Sequence, residues 1–160
     1  MRLHADVAVR WARLLGAGAE AEDVAQDAFV KAYSALSGFR PGMPFRPWLL
    51  RIVQRETSNL RRSAARRRAR EVAAGRDRTA VLAAASPDPA AAAEAGALHT
   101  RLWAAVEALP EEQRLVVCCR YLLELDEAET AVALGLRRGT VKSRLHRGLV
   151  RLRAAEGLDR

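Results

Sequence analysis

From the N-terminus to about residue 70, apolar and charged residues alternate at helical spacing, and the stretch ends in an arginine cluster. Residues 5–15 read as one helix, stopped by Gly16-Ala17-Gly18, and residues 21–36 read as a second, with Gly38 just past its end as a stop signal. Pro47 suits the first turn of a third helix that should run well past Arg62, with Leu49, Ile52, Val53 and Leu60 on its apolar side. The pattern then changes. From Glu71 to about Gly96 the chain is rich in Ala, Asp and Glu and carries Ser86-Pro87-Asp88-Pro89, whose prolines interrupt helix, so this piece reads as a linker. Helical periodicity returns at Leu98 and persists to Arg153. Residues 102–109 are amphipathic, and Pro110-Glu111-Glu112 opens a helix that runs through Cys118-Cys119 to Leu123. Asp126 is a good N-cap for a short helix over 127–134, with Glu129 completing a capping-box pattern, and Gly135 permits a left-handed turn. A final helix over about 138–153 has Val141, Leu145, Leu149 and Leu152 as its core face. The expected fold is all-α: two small helical domains, 1–72 and 99–160, joined by a flexible linker over 73–98.

Composition agrees with helices. Half of the 160 residues are hydrophobic, much of that alanine, and aromatics are only 5%, where a β-sandwich would need more β-branched and aromatic residues. Charge adds a function. The chain carries 27 basic against 19 acidic residues, net +8, and of the basic ones only Lys31 and Lys142 are lysine. Guanidinium forks match phosphate oxygens bidentately. GC-rich coding also enriches Arg and Ala, so the placement of the arginines matters more than their number. Arg51, Arg55, Arg62 and Arg66 fall within about 60° of one another on the third helix, with Ser58 and Asn59 at the edges. Such a single-sign stripe is self-repulsive unless an anion sits on it. A solvated basic helix is the other reading. Glu56, the one acid between residues 51 and 70, falls near the apolar side, and nothing in the sequence accounts for it.

Several classes drop out. No stretch approaches 18 apolar residues without a charge, and the N-terminus is not an apolar signal core. Cys118 and Cys119 are adjacent, where a mutual disulfide would be strained, and their helix is apolar on most sides, so they read as packing residues. His4, His99 and His146 stand far apart without metal-ligand spacing, so neither metal nor cofactor is expected. No paired carboxylates, Ser/His/Asp set or Gly-rich phosphate loop stands out, so no enzyme is expected either. The chain reads as a reduced, cytoplasmic, soluble protein.

Three surfaces are candidates for binding. On the second helix Ala25, Ala28, Phe29, Ala32 and Leu36 form the apolar face, and Asp23, Gln26, Asp27, Val30 and Ser34 lie opposite. The macrodipole alone explains acids at a helix start, but it does not explain Val30, which leaves a solvated face or a docking face for a protein. The loop Phe39-Arg40-Pro41-Gly42-Met43-Pro44-Phe45 is either a plain connection with its aromatics tucked in or a holder for an unstacked base. Trp48 beside it reads as core rather than as a stacking residue. Finally, the short helix, glycine turn and longer helix outline a helix-turn-helix. Arg137, Arg138, Lys142, Arg144, Arg147, Arg151 and Arg153 occur there with no acid between residues 137 and 153. A recognition helix reads bases with its N-terminal residues, here Lys142, Ser143 and His146, with Arg147 placed for base or phosphate. A helical hairpin with a basic exterior is the plainer reading.

These residues resemble a family. Residues 21–29, Ala-Glu-Asp-Val-Ala-Gln-Asp-Ala-Phe, resemble the polymerase-docking helix of bacterial extracytoplasmic-function sigma factors, of the sigma-70 family. Residues 45–53, Phe-Arg-Pro-Trp-Leu-Leu-Arg-Ile-Val, look like the start of their promoter-melting helix. Residues 109–114 and Gly139-Thr140-Val141-Lys142-Ser143-Arg144-Leu145-His146-Arg147 look like their fourth-region signatures. The resemblance is collinear over nearly the whole chain and implies a transcription initiation factor. By it, Asp23, Gln26, Asp27 and Val30 would dock on the clamp of the polymerase beta-prime subunit, and the fourth region would meet the beta flap. Arg40, Gly42, Met43 and Phe45 would hold a flipped base of the minus-ten element, with Asn59 near the melted strand and Arg51, Arg55 and Arg62 on phosphates. Arg138, Thr140, Lys142, Ser143, His146 and Arg147 would read the minus-thirty-five element. Core RNA polymerase and promoter DNA are the implied partners, with an anti-sigma factor common in the family and no membrane.

The sequence departs from the family pattern at three places. Arg55 stands where the family usually has Asn, which favours phosphate contact over base reading. Arg137 replaces the usual Ser cap of the recognition helix, forgoing a cap of about 1 kcal/mol while adding charge. The first helix is shorter than is usual in the family. Two other readings compete: a helix-turn-helix regulator that binds DNA without polymerase, and a degenerate enzyme or RNA-binding protein using the same basic helix.

Overall fold

The computed structural model describes residues 2–73 and 93–155, with side chains from His4 and from Thr100 onward, and every regular element in both stretches is helical. The α-helices are α1 (Arg2–Leu14), α2 (Ala21–Ser34), α3 (Phe45–Ala73), α4 (Ala93–Glu107), α5 (Glu111–Tyr121), α6 (Glu127–Leu134) and α7 (Arg138–Ala155). The chain divides into two compact units, Met1–Ala85 and Ser86–Arg160.

In the first unit α1, α2 and α3 pack on one another. The inner face of α2 is almost wholly methyl: Ala21, Ala25, Ala28 and Ala32 are buried, with Val24 beside them. Small side chains let two helices approach α2 closely, and the volume is supplied from their side. Trp11, Leu49, Leu50 and Val53 are fully buried. Trp11 Nε1 donates to the Leu50 carbonyl at 3.2 Å, which satisfies the one polar atom of that indole in the core and ties α1 to α3. Thr57, also buried, donates its hydroxyl to the Val53 carbonyl one turn back.

Two sequence expectations are corrected here. Leu36 is exposed and does not join the apolar face, because α2 stops at Ser34 and a 3-10 turn, Leu36–Gly38, breaks the 100° progression. Trp48 is half-buried rather than core, packed against Phe39 and Phe45 at the edge of the unit's buried residues. A third reading needs Lys31: its ammonium pairs with Glu56, whose side chain is only 14% exposed. The solitary acid of the basic helix therefore ties α3 to α2.

In the second unit Val116, Ala131 and Val141 form the centre, with Leu134, Leu136 and Leu145 packed around it. Asp126 caps α6 as its sequence suggests: the Glu129 N–H donates to its carboxylate at 2.7 Å, and its own N–H donates to Glu129 Oε2 at 2.9 Å. Gly135 ends α6 at φ 67°, and the Leu136 and Gly135 N–H groups close back on the Ala131 and Val132 carbonyls. Gly148 lies where α7 crosses α5: a Cβ there would stand 3.1 Å from Val117 Cγ2, so hydrogen in place of a side chain sets the helix separation. α4 begins at Ala93, inside the stretch read as linker, because the residues just after Pro89 are alanine-rich and free of proline. Residues 74–92, the rest of that stretch, lie outside the described residues.

Cys118 and Cys119 are buried and free. Burial pushes the Cys118 thiol up to about 11, against a small opposing pull from Arg114, and burial and the neighbouring thiol raise Cys119 further still. Both therefore stay protonated at neutral pH, whereas the thiolate is the reactive form. A chromogenic disulfide reagent is expected to leave both unmodified in the native protein and to titrate two thiols in denaturant. Fast native labelling would contradict that burial.

Candidate nucleic-acid interface

The outer face of α2 presents Asp23, Gln26, Asp27 and Val30, all exposed, with Val30 60% accessible. Ser34 closes this stripe by donating to the Val30 carbonyl at 3.1 Å. Tyr33, 76% exposed, continues the stripe on the Gln26 side. A template of acids plus one valine passes over it, although three-residue spacing from Val30 could have found it. The face is thus acidic at its N-terminal end and apolar at its C-terminal end.

The loop before α3 splits into a tip and a base. Met43 N–H donates to the Arg40 carbonyl at 3.2 Å, with Pro41 second and Gly42 third at φ 85°, the residue pattern of a type II turn. Arg40, Gly42 and Met43 are exposed at the tip. At the base Phe39 and Phe45 are half-buried and pack on Trp48, with ring centroids 4.8 and 5.5 Å away, and His4 meets Phe45 at 5.5 Å. The aromatics of the loop are thus tucked into a cluster, and its tip stands exposed above them.

Along α3, Arg55, Asn59 and Arg62 are exposed and Arg51 is half-buried. Arg62 Nη2 donates to Asn59 Oδ1 at 2.7 Å and Nε to the Ser58 carbonyl at 3.3 Å, so amide and guanidinium sit as one polar group on the stripe. An open groove lies between the Gly16–Glu20 turn and this helix, with Ser58, Leu60, Arg61, Arg62 and Arg68 on the α3 wall.

In the second unit α6, the Gly135 turn and α7 form a helix-turn-helix. Lys142, Ser143, His146 and Arg147 are exposed on α7, and Thr140 is half-buried, its carbonyl accepting from Ser143 Oγ at 3.1 Å. Arg138 lies 3.8 Å from Glu127, and Arg147 Nε donates to the Ser143 carbonyl. The remaining basic residues are not equivalent. Arg144 pairs with Glu112 at 2.7 Å, and Arg151 donates to the buried Gln113 at 3.2 Å, so both brace α7 against α5. The segregation of charge seen in the sequence is therefore partly structural.

Comparison with known proteins assigns both units. Residues 1–67 match the family model for sigma-70 region 2, and residues 99–152 match that for sigma-70 region 4. The chain is 36% identical to the extracytoplasmic-function sigma factor SigE of Mycolicibacterium smegmatis over 96% of its own length and 58% of the relative's. It is 32% identical to SigW of Bacillus subtilis, covering 88% of this chain and 78% of that one. The chain belongs to the extracytoplasmic-function sigma factors of the sigma-70 family. Among solved structures, this sigma factor is similar to RpoE of Bartonella quintana, solved in complex with the anti-sigma factor NepR, at a TM-score of 0.71 and 25% identity over 99% of this chain and 95% of that one. It is also similar to CnrH, solved with the cytosolic domain of CnrY, at a TM-score of 0.65. Set on region 2 and region 4, the α2 stripe, the loop tip and α3 as far as Arg67 fall in the first match and the helix-turn-helix in the second. Among the described residues, no helix of the sigma factor is long and apolar enough to cross a membrane.

Proposed function

We propose that this sigma factor directs core RNA polymerase to specific promoters in the cytoplasm and does no covalent chemistry itself. Residues 1–72 serve as region 2, which docks on polymerase and binds and melts the minus-ten element. Residues 99–160 serve as region 4, which reads the minus-thirty-five element, and 73–98 link them. Asp23, Gln26, Asp27 and Val30 dock on the beta-prime clamp, and region 4 meets the beta flap. The loop tip at Arg40, Gly42 and Met43, walled by Phe45, takes a flipped base, while Arg51, Arg55, Asn59 and Arg62 follow the strand. Arg138, Thr140, Lys142, Ser143, His146 and Arg147 meet the minus-thirty-five groove. An anti-sigma factor is proposed as a further partner by likeness to RpoE, whose solved complex contains one.

The observation that carries this reading is the pairing, in one chain, of an acidic-apolar docking face with two separate basic surfaces. A DNA-binding regulator needs only one of these. Run-off transcription with core polymerase on a promoter library is the test. Core-dependent transcripts sharing two spaced motifs are expected, and tight specific DNA binding without polymerase would favour the regulator instead.

Within region 4, Lys142→Ala is expected to lose about 1–3 kcal/mol of discrimination at the base it reads. Arg153→Ala should weaken binding to all sequences alike and lower the slope of log affinity against log salt by about 0.9. Arg153 serves this purpose better than Arg151, whose bond to Gln113 mixes packing with charge. Intact sequence preference in Lys142→Ala would remove α7 from the groove.

A further inference from the structure

The buried stripe of α1 ends on a polar ring. His4, Ala8 and Trp11 lie along one side of that helix, spaced four and three residues apart. Ala8 and Trp11 are fully buried, whereas His4, at the N-terminal end, is half-buried. Trp11 bonds to the Leu50 carbonyl, and two turns earlier the His4 ring meets Phe45 with 5.5 Å between centroids. The two contacts advance in the same direction along α1 and α3 and fix His4 beside the loop that precedes α3. Four half-buried rings therefore gather under the loop tip: His4, Phe39, Phe45 and Trp48. Two of them are hydrocarbon and the indole only donates, so the imidazole is the one ring with both a donor and an acceptor. Its nitrogens make no hydrogen bond among the described residues. An unstacked base presents two faces and a hydrogen-bonding edge. Apolar rings can cover the faces, but the edge needs a polar partner.

We propose that His4 hydrogen-bonds the edge of the base that the loop takes out of the stack, and so sets part of the minus-ten preference. This rests on the region 2 reading above. The ring is presented from a helix held by a buried tryptophan two turns away, not from the loop itself, and a group on a rigid element holds its geometry better. A ring that merely covers Phe45 would need its carbon outline only. Reading a base needs the nitrogens.

The test uses holoenzyme made from the full chain, with wild type, His4→Phe and His4→Gln compared on promoters substituted at each minus-ten position in turn. His4→Phe keeps a ring against Phe45 and removes both nitrogens. His4→Gln keeps a donor and an acceptor and removes the ring. Open-complex formation on each promoter is read as a ratio to the unsubstituted one, so any unfolded fraction of a variant cancels. His4→Phe should lose about fivefold discrimination at one minus-ten position, the worth of a single neutral hydrogen bond. It should match wild type at the other positions and in melting temperature, while His4→Gln should keep part of the discrimination and melt lower. Wild-type discrimination in His4→Phe would overturn the proposal and leave the ring a packing role. So would a loss spread evenly over all minus-ten positions, which would make His4 a general support of the loop. The region 2 reading fails separately, if the wild type itself is indifferent to every minus-ten substitution.

Discussion

Reversing both acids of the α2 stripe, Asp23→Arg with Asp27→Arg, is expected to weaken binding to core polymerase by at least about a hundredfold, near 2.7 kcal/mol. Like-charge contacts at an interface cost several kcal/mol, and both carboxylates are exposed on the face that carries Val30 and Tyr33. Folding should suffer less. Neither acid is buried, and cations near the helix start cost about 0.3–1 kcal/mol each through the macrodipole, so circular dichroism should remain helical. The neutral pair Asp23→Asn and Asp27→Asn separates the two effects, because it removes attraction without adding repulsion. It should bind core more weakly than wild type and more tightly than the reversed pair. Unchanged core affinity in the reversed pair would end the docking assignment.

The second large effect concerns strand opening. Taking a base out of the stack costs a few kcal/mol, so a loop that holds it should show its worth in opening rather than in initial binding. Gly42 is a poor place to test this, since φ 85° strains any replacement and would disturb the turn itself. Met43 is exposed one residue on and free of that constraint. Met43→Asn is expected to change which minus-ten base is preferred and to cut open-complex formation about tenfold or more, while closed-complex affinity moves little. Arg55→Ala should do the reverse: weaker, less salt-sensitive binding with the same base preference. Permanganate footprinting on matched and base-substituted promoters reads both. If Arg55→Ala shifts the preference and Met43→Asn does not, the two roles are exchanged.

What can be read from the sequence is what is encoded locally. The Asp126–Glu129 box and the Gly135 turn each lie within a few residues, so capping chemistry alone places α6 and the start of α7. The all-helical class follows from alanine content and periodicity. Features made by distant residues are out of its reach. Glu56 has no meaning until Lys31, 25 positions earlier, is brought beside it, and Arg151 looks like a DNA contact until Gln113 takes its hydrogen bond. Trp48 is misplaced for a related reason: periodicity shows which way a residue faces, but not that Phe39 and Phe45 gather it into a half-buried cluster. Leu36 is lost to a 3-10 turn that a fixed 100° step cannot anticipate. For the binding surfaces, the sequence shows where charge gathers, and the structure separates arginines that brace helices from those that stand free.

The methyl wall of α2 has a further consequence. One side of this helix carries the stripe proposed for polymerase, and the other side contributes little more than Cβ atoms to its packing on the larger side chains of α1 and α3. A larger side chain at Ala25 or Ala28 could not be absorbed by choosing another rotamer, because there is no slack to choose from. It would have to push the helices apart. The spacing between the docking stripe and the arginine stripe is thus gauged by the shortest side chain that still has one. The first unit behaves as a fixed spacer block, holding two working surfaces at a set separation.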